Sequence, residues 1–326
     1  RQNQHTAAAM NHYFEWLTTQ TKTTWWHDSA DPVELDRALV NGASGVTTNP
    51  PLIADALRSS GKLWRDELEA GNPLQITGVL TRRAAAKLTG TVCAQVSPVA
   101  VGDRAAMRSM AEYLSKVAPN IAVKLPATAA GLAVAEECIA NGITVTLTVS
   151  FTVAQVVTIA EMHRRARARG GTGKCFAVIM IGRIDDYLRD LAGDVKSPAT
   201  EADIRQAGLA VVKRAYGIYR QRGYETRLII AALRGTYHLT ELAGADVIMS
   251  IHPKVQAMIT ELPEQEGIAR PVPADVIERL ATLEDFRRAY EPEGLKPDEF
   301  LAFGATQRTL SQFVETGWRQ IEAYRP

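Results

Sequence analysis

The chain has 326 residues, with 37 Lys or Arg against 36 Asp or Glu, so its formal net charge is +1 before its six histidines are counted. That balance leaves no electrostatic footprint for nucleic acid or an anionic membrane surface, and no apolar run reaches the roughly 20 residues of a membrane span. Cys93, Cys138 and Cys175 form no CxxC pair and fit buried thiols in a reducing compartment. With no secretory apolar segment in Arg1 to Met10, a soluble cytoplasmic protein is expected.

Taken in chain order, the pattern opens with a helix from His5 to about Thr19 and then alternates short β-rich runs with longer amphipathic stretches to about residue 260. The strands fall at Thr24–Asp28, Gly45–Thr48, Thr91–Val96, Ile121–Leu125, Thr144–Thr148, Phe176–Ile179, Leu228–Ala231 and Val247–Ser250. Helical patterns at Pro32–Leu39, Arg104–Val117, Gly131–Ala140, Thr152–Ala166, Glu201–Arg222 and Thr236–Leu242 lie between them. Gly42, Gly142, Gly223 and Gly244 stand where a left-handed residue ends a helix. Eight strands in strict alternation predict a (β/α)8 barrel over about 24–260. The helical stretches Ala274–Ala289 and Thr306–Ala323 extend it over 261–326. No linker or repeat divides the chain, so a single domain is expected. Arg167–Lys174 contains GxGK but lacks the full phosphate-loop spacing, and it reads as a basic helix end and a Gly-rich turn.

Reactive groups of such barrels stand at the C-terminal ends of the strands. Here those ends carry Asp28, Thr47, Thr48, Asn49, Gln95, Lys124, Thr148, Arg183, Arg234 and His252. Lys124 lies in Val-Lys-Leu-Pro, within an apolar strand. Alone it fits a lysine snorkelling to water, or a desolvated amine that is a nucleophile for a ketone or aldehyde. Asp28 could serve as the acid and base when a carbon–carbon bond breaks, since Asp31, before Pro32, is the better helix cap. The pair Trp25-Trp26 fits core packing, with strand alternation turning one ring into the barrel.

Gly45-Val-Thr-Thr-Asn-Pro-Pro-Leu-Ile53 resembles the transaldolase signature, with Pro51 where that signature has serine. Val123-Lys-Leu-Pro-Ala-Thr through Gly142-Ile-Thr-Val-Thr-Leu-Thr148 is similar to the block that surrounds the family's Schiff-base lysine. Gly182-Arg-Ile-Asp and Arg234 follow in the same order. The resemblance implies an imine between Lys124 and a donor ketose, with Asp28 taking the hydroxyl proton as the C3–C4 bond breaks. It implies that Asn49, with Thr48 beside it in the motif, meets the dihydroxyacetone unit, that Thr148 positions a water, and that Arg183 and Arg234 hold a terminal anion. No metal or organic cofactor is implied. The partner is a small sugar phosphate or related anionic sugar, in the carbohydrate metabolism that includes the pentose phosphate pathway. Association into a homo-oligomer stays open.

Several positions depart from the family pattern. Gln95 replaces a glutamate, as in fructose 6-phosphate aldolases, yet Met180 stands where those aldolases carry tyrosine. Val178 and Ala232 replace serines of the anion site, and His252 replaces a serine after strand eight. The reading is a transferase that moves a dihydroxyacetone unit from a ketose with a terminal anion to an aldose. The alternatives are a lyase that releases dihydroxyacetone, a transaldolase for a sulfonated ketose, and a barrel that only binds sugar phosphates.

Overall fold

The computed structural model describes residues 9–326. Its eight strands, all parallel, close into a barrel in sequence order: β1 Thr24–Asp28, β2 Val46–Thr47, β3 Val92–Gln95, β4 Ile121–Pro126, β5 Val145–Thr148, β6 Cys175–Met180, β7 Arg227–Ala231 and β8 Ile248–Ile251. Every strand expected from the sequence is present, within one or two residues of its expected ends. β3 to β6 and β8 are buried along their whole length, as strands under a coat of helices must be.

Parallel partners in register point to the same side of the sheet, so the interior can be traced round the barrel. The pairs Trp26↔Ser250, Asp28↔Thr47, Gln95↔Lys124, Lys124↔Thr146, Met180↔Ala231 and Val178↔Ile229 all share the inner face. Trp26 meets Phe176 edge-on at 5.0 Å and fills the N-terminal end of the barrel. Trp25 points outward, stacks on Phe14 at 4.3 Å and donates its indole N–H to the Asn41 carbonyl. The tryptophan pair therefore divides between the two faces as alternation requires. The end where the βα-loops converge carries Asp28, Thr47, Gln95, Lys124 and Thr148 on the inner face.

Gly42, Gly142, Gly223 and Gly244 all have positive φ, from +61° to +99°, as helix-ending residues with no Cβ can. The first helix is His12–Gln20, capped by Asn11, whose side chain accepts from the amides of Tyr13 and Phe14. The earlier part of the expected helix, residues 5–8, lies outside the described residues. Two expected helices are each broken. Glu201–Arg222 divides into Glu201–Ile204 and Ala207–Arg222, because the Gly208 amide is drawn to Asp185 Oδ1 at 2.7 Å. Ala274–Ala289 divides into Ala274–Leu280 and Glu284–Tyr290 at Thr282, whose hydroxyl bonds the Arg279 carbonyl. The last helix runs from Gly304 to Ala323 through a π-helical turn, Val314–Trp318.

All three cysteines are free and buried. Among the described residues no helix is long and apolar enough to cross a membrane, and no three His, Cys, Asp or Glu side chains gather as a metal site would require.

Candidate active site

A cavity of about 410 Å³ opens at the C-terminal ends of the strands. Asp28, Asn49, Lys124, Thr148, Met180, Arg183, Arg234 and His252 all line it. Their side chains come from seven different strands or strand ends, which only closure of the barrel brings together.

Lys124 is 6% exposed, in the middle of a fully buried strand. Its Nζ donates to the Thr48 carbonyl at 3.0 Å. Burial pushes its pKa down, and the neighbouring Cys93 and Asp28 offset that only in part. The result is an amine held at the cavity wall with its charged form disfavoured. Lys124 does not extend to open solvent but is buried at the cavity wall.

Asp28 is half-buried, and its Oδ1 accepts from Thr47 Oγ1 at 2.8 Å. That hydroxyl's single proton is thus committed, so at its 2.7 Å contact with Ser250 the serine is the donor. The chain Ser250 to Thr47 to Asp28 fixes the carboxylate while leaving Oδ2 without a partner among the described residues. Ser250 was missed as a site residue, although its place opposite Trp26, in phase with Asp28, puts it on the inner face.

Two expected site residues, Thr48 and Gln95, are not among those that line the cavity. Thr48 gives its hydroxyl to the Cys93 carbonyl at 2.6 Å and meets Lys124 through its backbone alone. Gln95, in register with Lys124, is 4% exposed, and its Oε1 has no hydrogen-bond partner. An unpaired buried acceptor costs about 1–3 kcal/mol, which marks a position where a polar partner belongs. Asn49 has two tasks: its Oδ1 caps the helix Pro50–Ser60 by accepting from Leu52 N at 2.9 Å, which leaves its NH2 group for the cavity. The Asn-Pro-Pro order is the sequence sign of that cap. Asp31 caps the following turn, accepting from Val33 N and from the hydroxyls of Ser59 and Ser60.

At the opposite wall, Arg183 projects from the first turn of Ile181–Asp194. Its Nη1 donates to Gln312, its guanidinium lies 5.3 Å from the centre of the Phe313 ring, and its Nε is buried without a partner. Burial chiefly, helped by the like charge of Arg234, brings its pKa down to about 10. Arg234 is more exposed, and its Nε donates to Asp186 Oδ2 at 3.0 Å. Gly182 has room for no side chain: a Cβ there would lie 2.0 Å from the Ala232 oxygen and 2.5 Å from Arg234 Cγ. Val178, Met180, Ile229, Ala231 and Ala232 make the wall between the guanidiniums apolar. His252 spends its Nδ1 on the Lys254 amide at 3.0 Å, capping Pro253–Gln256, so Nε2 is its remaining donor or acceptor. Lys254, not singled out from the sequence, joins it at the rim.

Comparison with known proteins follows the same outline. Residues 25–297 match the family model described as Transaldolase/Fructose-6-phosphate aldolase. A probable transaldolase of Dehalococcoides mccartyi is 28% identical over 246 residues, covering 74% of this chain and 93% of that protein. Probable transaldolases of Geotalea daltonii and Paracoccus denitrificans are 30% and 29% identical, each covering 82% of the relative and 68% and 69% of this chain. With the family matched along most of its length and a cavity built from the residues that the signature predicts, the chain belongs to the transaldolase/fructose-6-phosphate aldolase family and is an enzyme, a transferase.

Proposed function

We propose that this enzyme transfers a dihydroxyacetone unit from a ketose with a terminal anion to an aldose, through an imine on Lys124. One observation carries the reading: a desolvated lysine amine and a carboxylate, Asp28, line the same cavity. The neutral Nζ attacks the C2 carbonyl, and water leaves as the protonated imine forms. The C4 hydroxyl gives its proton to Asp28, the C3–C4 electrons pass into the imine, and the aldehyde fragment departs. The enamine left on Lys124 adds to the acceptor aldehyde as Asp28 returns the proton, and hydrolysis frees the amine. The protonated imine is the electron sink, so the reaction as written calls for no metal or organic cofactor.

Asn49 bonds the three-carbon unit through its NH2 group, Thr148 and Gln95 orient water beside the imine, and Arg183 and Arg234 take the anion. Met180 and His252 shape the remaining wall. The substrate class is a sugar phosphate or a related anionic sugar, handled by one domain in the cytoplasm, within carbohydrate metabolism of the pentose phosphate kind. Borohydride added with fructose 6-phosphate should trap a covalent adduct on Lys124, located by peptide mass. Absence of an adduct with every phosphorylated, sulfonated and neutral ketose in a panel would sink the reading.

A second reading, cleavage that releases dihydroxyacetone, is favoured by Gln95, the residue that fructose 6-phosphate aldolases also carry, whereas Met180 departs from their tyrosine. A carboxamide cannot deprotonate water and a thioether carries no acidic proton, so neither supplies the proton transfer that a carboxylate or phenol would. Assaying free dihydroxyacetone with and without an acceptor aldehyde separates the two.

A further inference from the structure

We propose that His238 and Asp185 are positioning residues that hold the Arg234 backbone, and with it the anion-binding guanidinium, through one fixed imidazole tautomer. This rests on the reading of Arg234 as an anion-binding residue. The turn after β7 needs such support. Ala232 has φ +59°, a left-handed conformation that is strained for a residue with a Cβ, so local preference works against the turn that carries Arg234. Tertiary contacts hold it. The Gly182 amide donates to the Ala232 carbonyl at 3.0 Å, and the Arg234 amide donates to His238 Nδ1, also at 3.0 Å.

The second contact determines the protons behind it. Because Nδ1 accepts, the neutral ring carries its hydrogen on Nε2, which lies 2.9 Å from Asp185 Oδ2 and donates to it. Asp185 Oδ1 accepts from the Gly208 amide at 2.7 Å. Both carboxylate oxygens therefore accept, and both side chains are fully buried, so nothing else can exchange with them. The path runs from the start of Ala207–Arg222, through Asp185 and His238, to the backbone of Arg234. Asp186, next to Asp185, holds the guanidinium of the same arginine by its Nε. Adjacent residues on one helix thus fix Arg234 at both its ends, leaving its terminal nitrogens to the cavity.

The test compares His238→Leu with His238→Asn, using fructose 6-phosphate and free fructose as donors. Both variants deprive Asp185 of its imidazole partner, but asparagine keeps an acceptor where Nδ1 stood. His238→Leu should raise KM for fructose 6-phosphate about fivefold, the worth of one backbone hydrogen bond, with kcat within about twofold and free fructose unchanged. His238→Asn should restore most of that KM. Equal KM values in the two variants, or an equal loss with both sugars, would overturn the proposal, because a merely structural pair has no reason to discriminate between them. Should His238→Leu show no cooperative melt, the near-isosteric Asp185→Asn decides. Turning its amide to His238 forces the other tautomer and sets two N–H groups against each other at Arg234, so the same KM must rise. An unchanged value would count against the proposal. Arg234→Gln separates the levels: if it leaves KM for fructose 6-phosphate unaltered, the reading of Arg234 fails and this proposal with it. If it raises KM while the His238 and Asp185 variants do not, only this proposal falls.

Discussion

At the scale of single residues, the site is arranged at the expense of stability. A lysine whose folded pKa is depressed binds fewer protons folded than unfolded, so it opposes folding fully below its folded pKa. The opposition fades as pH rises toward the ordinary lysine value, where the unfolded chain also loses the proton. Lys124→Met, close in shape and uncharged, should therefore melt higher than the parent near neutral pH, with the gap narrowing toward pH 10.5 while activity is abolished. Melting curves across that range check it, and a gap that does not change with pH would show that Lys124 is not desolvated. Gln95→Glu is the companion test at the reaction centre. It supplies the carboxylate that can deprotonate water and should shift the ratio of dihydroxyacetone release to transfer, measured with a fixed acceptor aldehyde. An unchanged ratio would make the glutamine incidental.

Among secondary-structure elements, β1 and the short helix after β8 meet through His27. This ring is fully buried on the outer side of β1, where Gln256 Nε2 lies 2.9 Å from its Nδ1 and also donates to the Ile251 carbonyl. Burial chiefly, against the pull of Asp28 and with the push of His252, lowers the His27 pKa from 6.5 to about 4. The folded chain thus binds fewer protons than the unfolded chain between those values, and stability falls as pH drops through that window. At about 1.4 kcal/mol per unit the loss from this one group approaches about 3 kcal/mol. His27→Gln should flatten the dependence of denaturation midpoint on pH from 6.5 to 4. If the slope persists, another group is responsible.

The same elements show which features a sequence displays and which it conceals. The eight strands, the helix-ending glycines and the inward tryptophan follow from periodicity and backbone sterics, which act within a few residues. So do Lys124 and Asp28, because their strand phase is local. The breaks in Glu201–Arg222 and Ala274–Ala289 were concealed, since the first depends on Asp185 drawing away an amide 23 residues distant. The bond of Ser250 to Thr47, that of His238 to Asp185, and the commitment of Thr48 to Cys93 were concealed for the same reason. Each is defined by a hydrogen bond to another strand or helix, and composition carries no trace of that partner. Thr48 shows the limit of motif reading most clearly, because it lies within the signature and yet works through its carbonyl.

The molecule as a whole builds the arginine-bearing end of the cavity from its two halves. Net charge is +1 over the chain, yet the mouth collects Arg183, Arg234 and Lys254 against Asp28 and Asp186, an asymmetry that the total averages away. Arg183 is held there by Gln312 and Phe313, 129 and 130 positions along, on the helix Gly304–Phe313. That helix is seated in turn by the π-helical turn that follows it. Gly317 packs against Pro50 and Pro51 so closely that a Cβ would lie 2.6 Å from both. Pro50 and its peptide bond to Pro51 therefore form the seat of the C-terminal segment. The last helix thus reaches the mouth and touches the arginine that faces the cavity. Phe313→Ala removes a ring from a desolvated guanidinium, an interaction worth about 1–2 kcal/mol, so KM for an anionic ketose should rise about five- to thirtyfold with a neutral ketose unaffected. Gly317→Ala should give a milder version of the same selective loss, together with a lower melting temperature, because it unseats the helix without touching Arg183. Steady-state kinetics with a phosphorylated and a neutral donor, set beside melting curves, distinguish the two variants. Equal losses with both donors in Phe313→Ala would show that the C-terminal helix supports the barrel generally and has no part in selecting the anion.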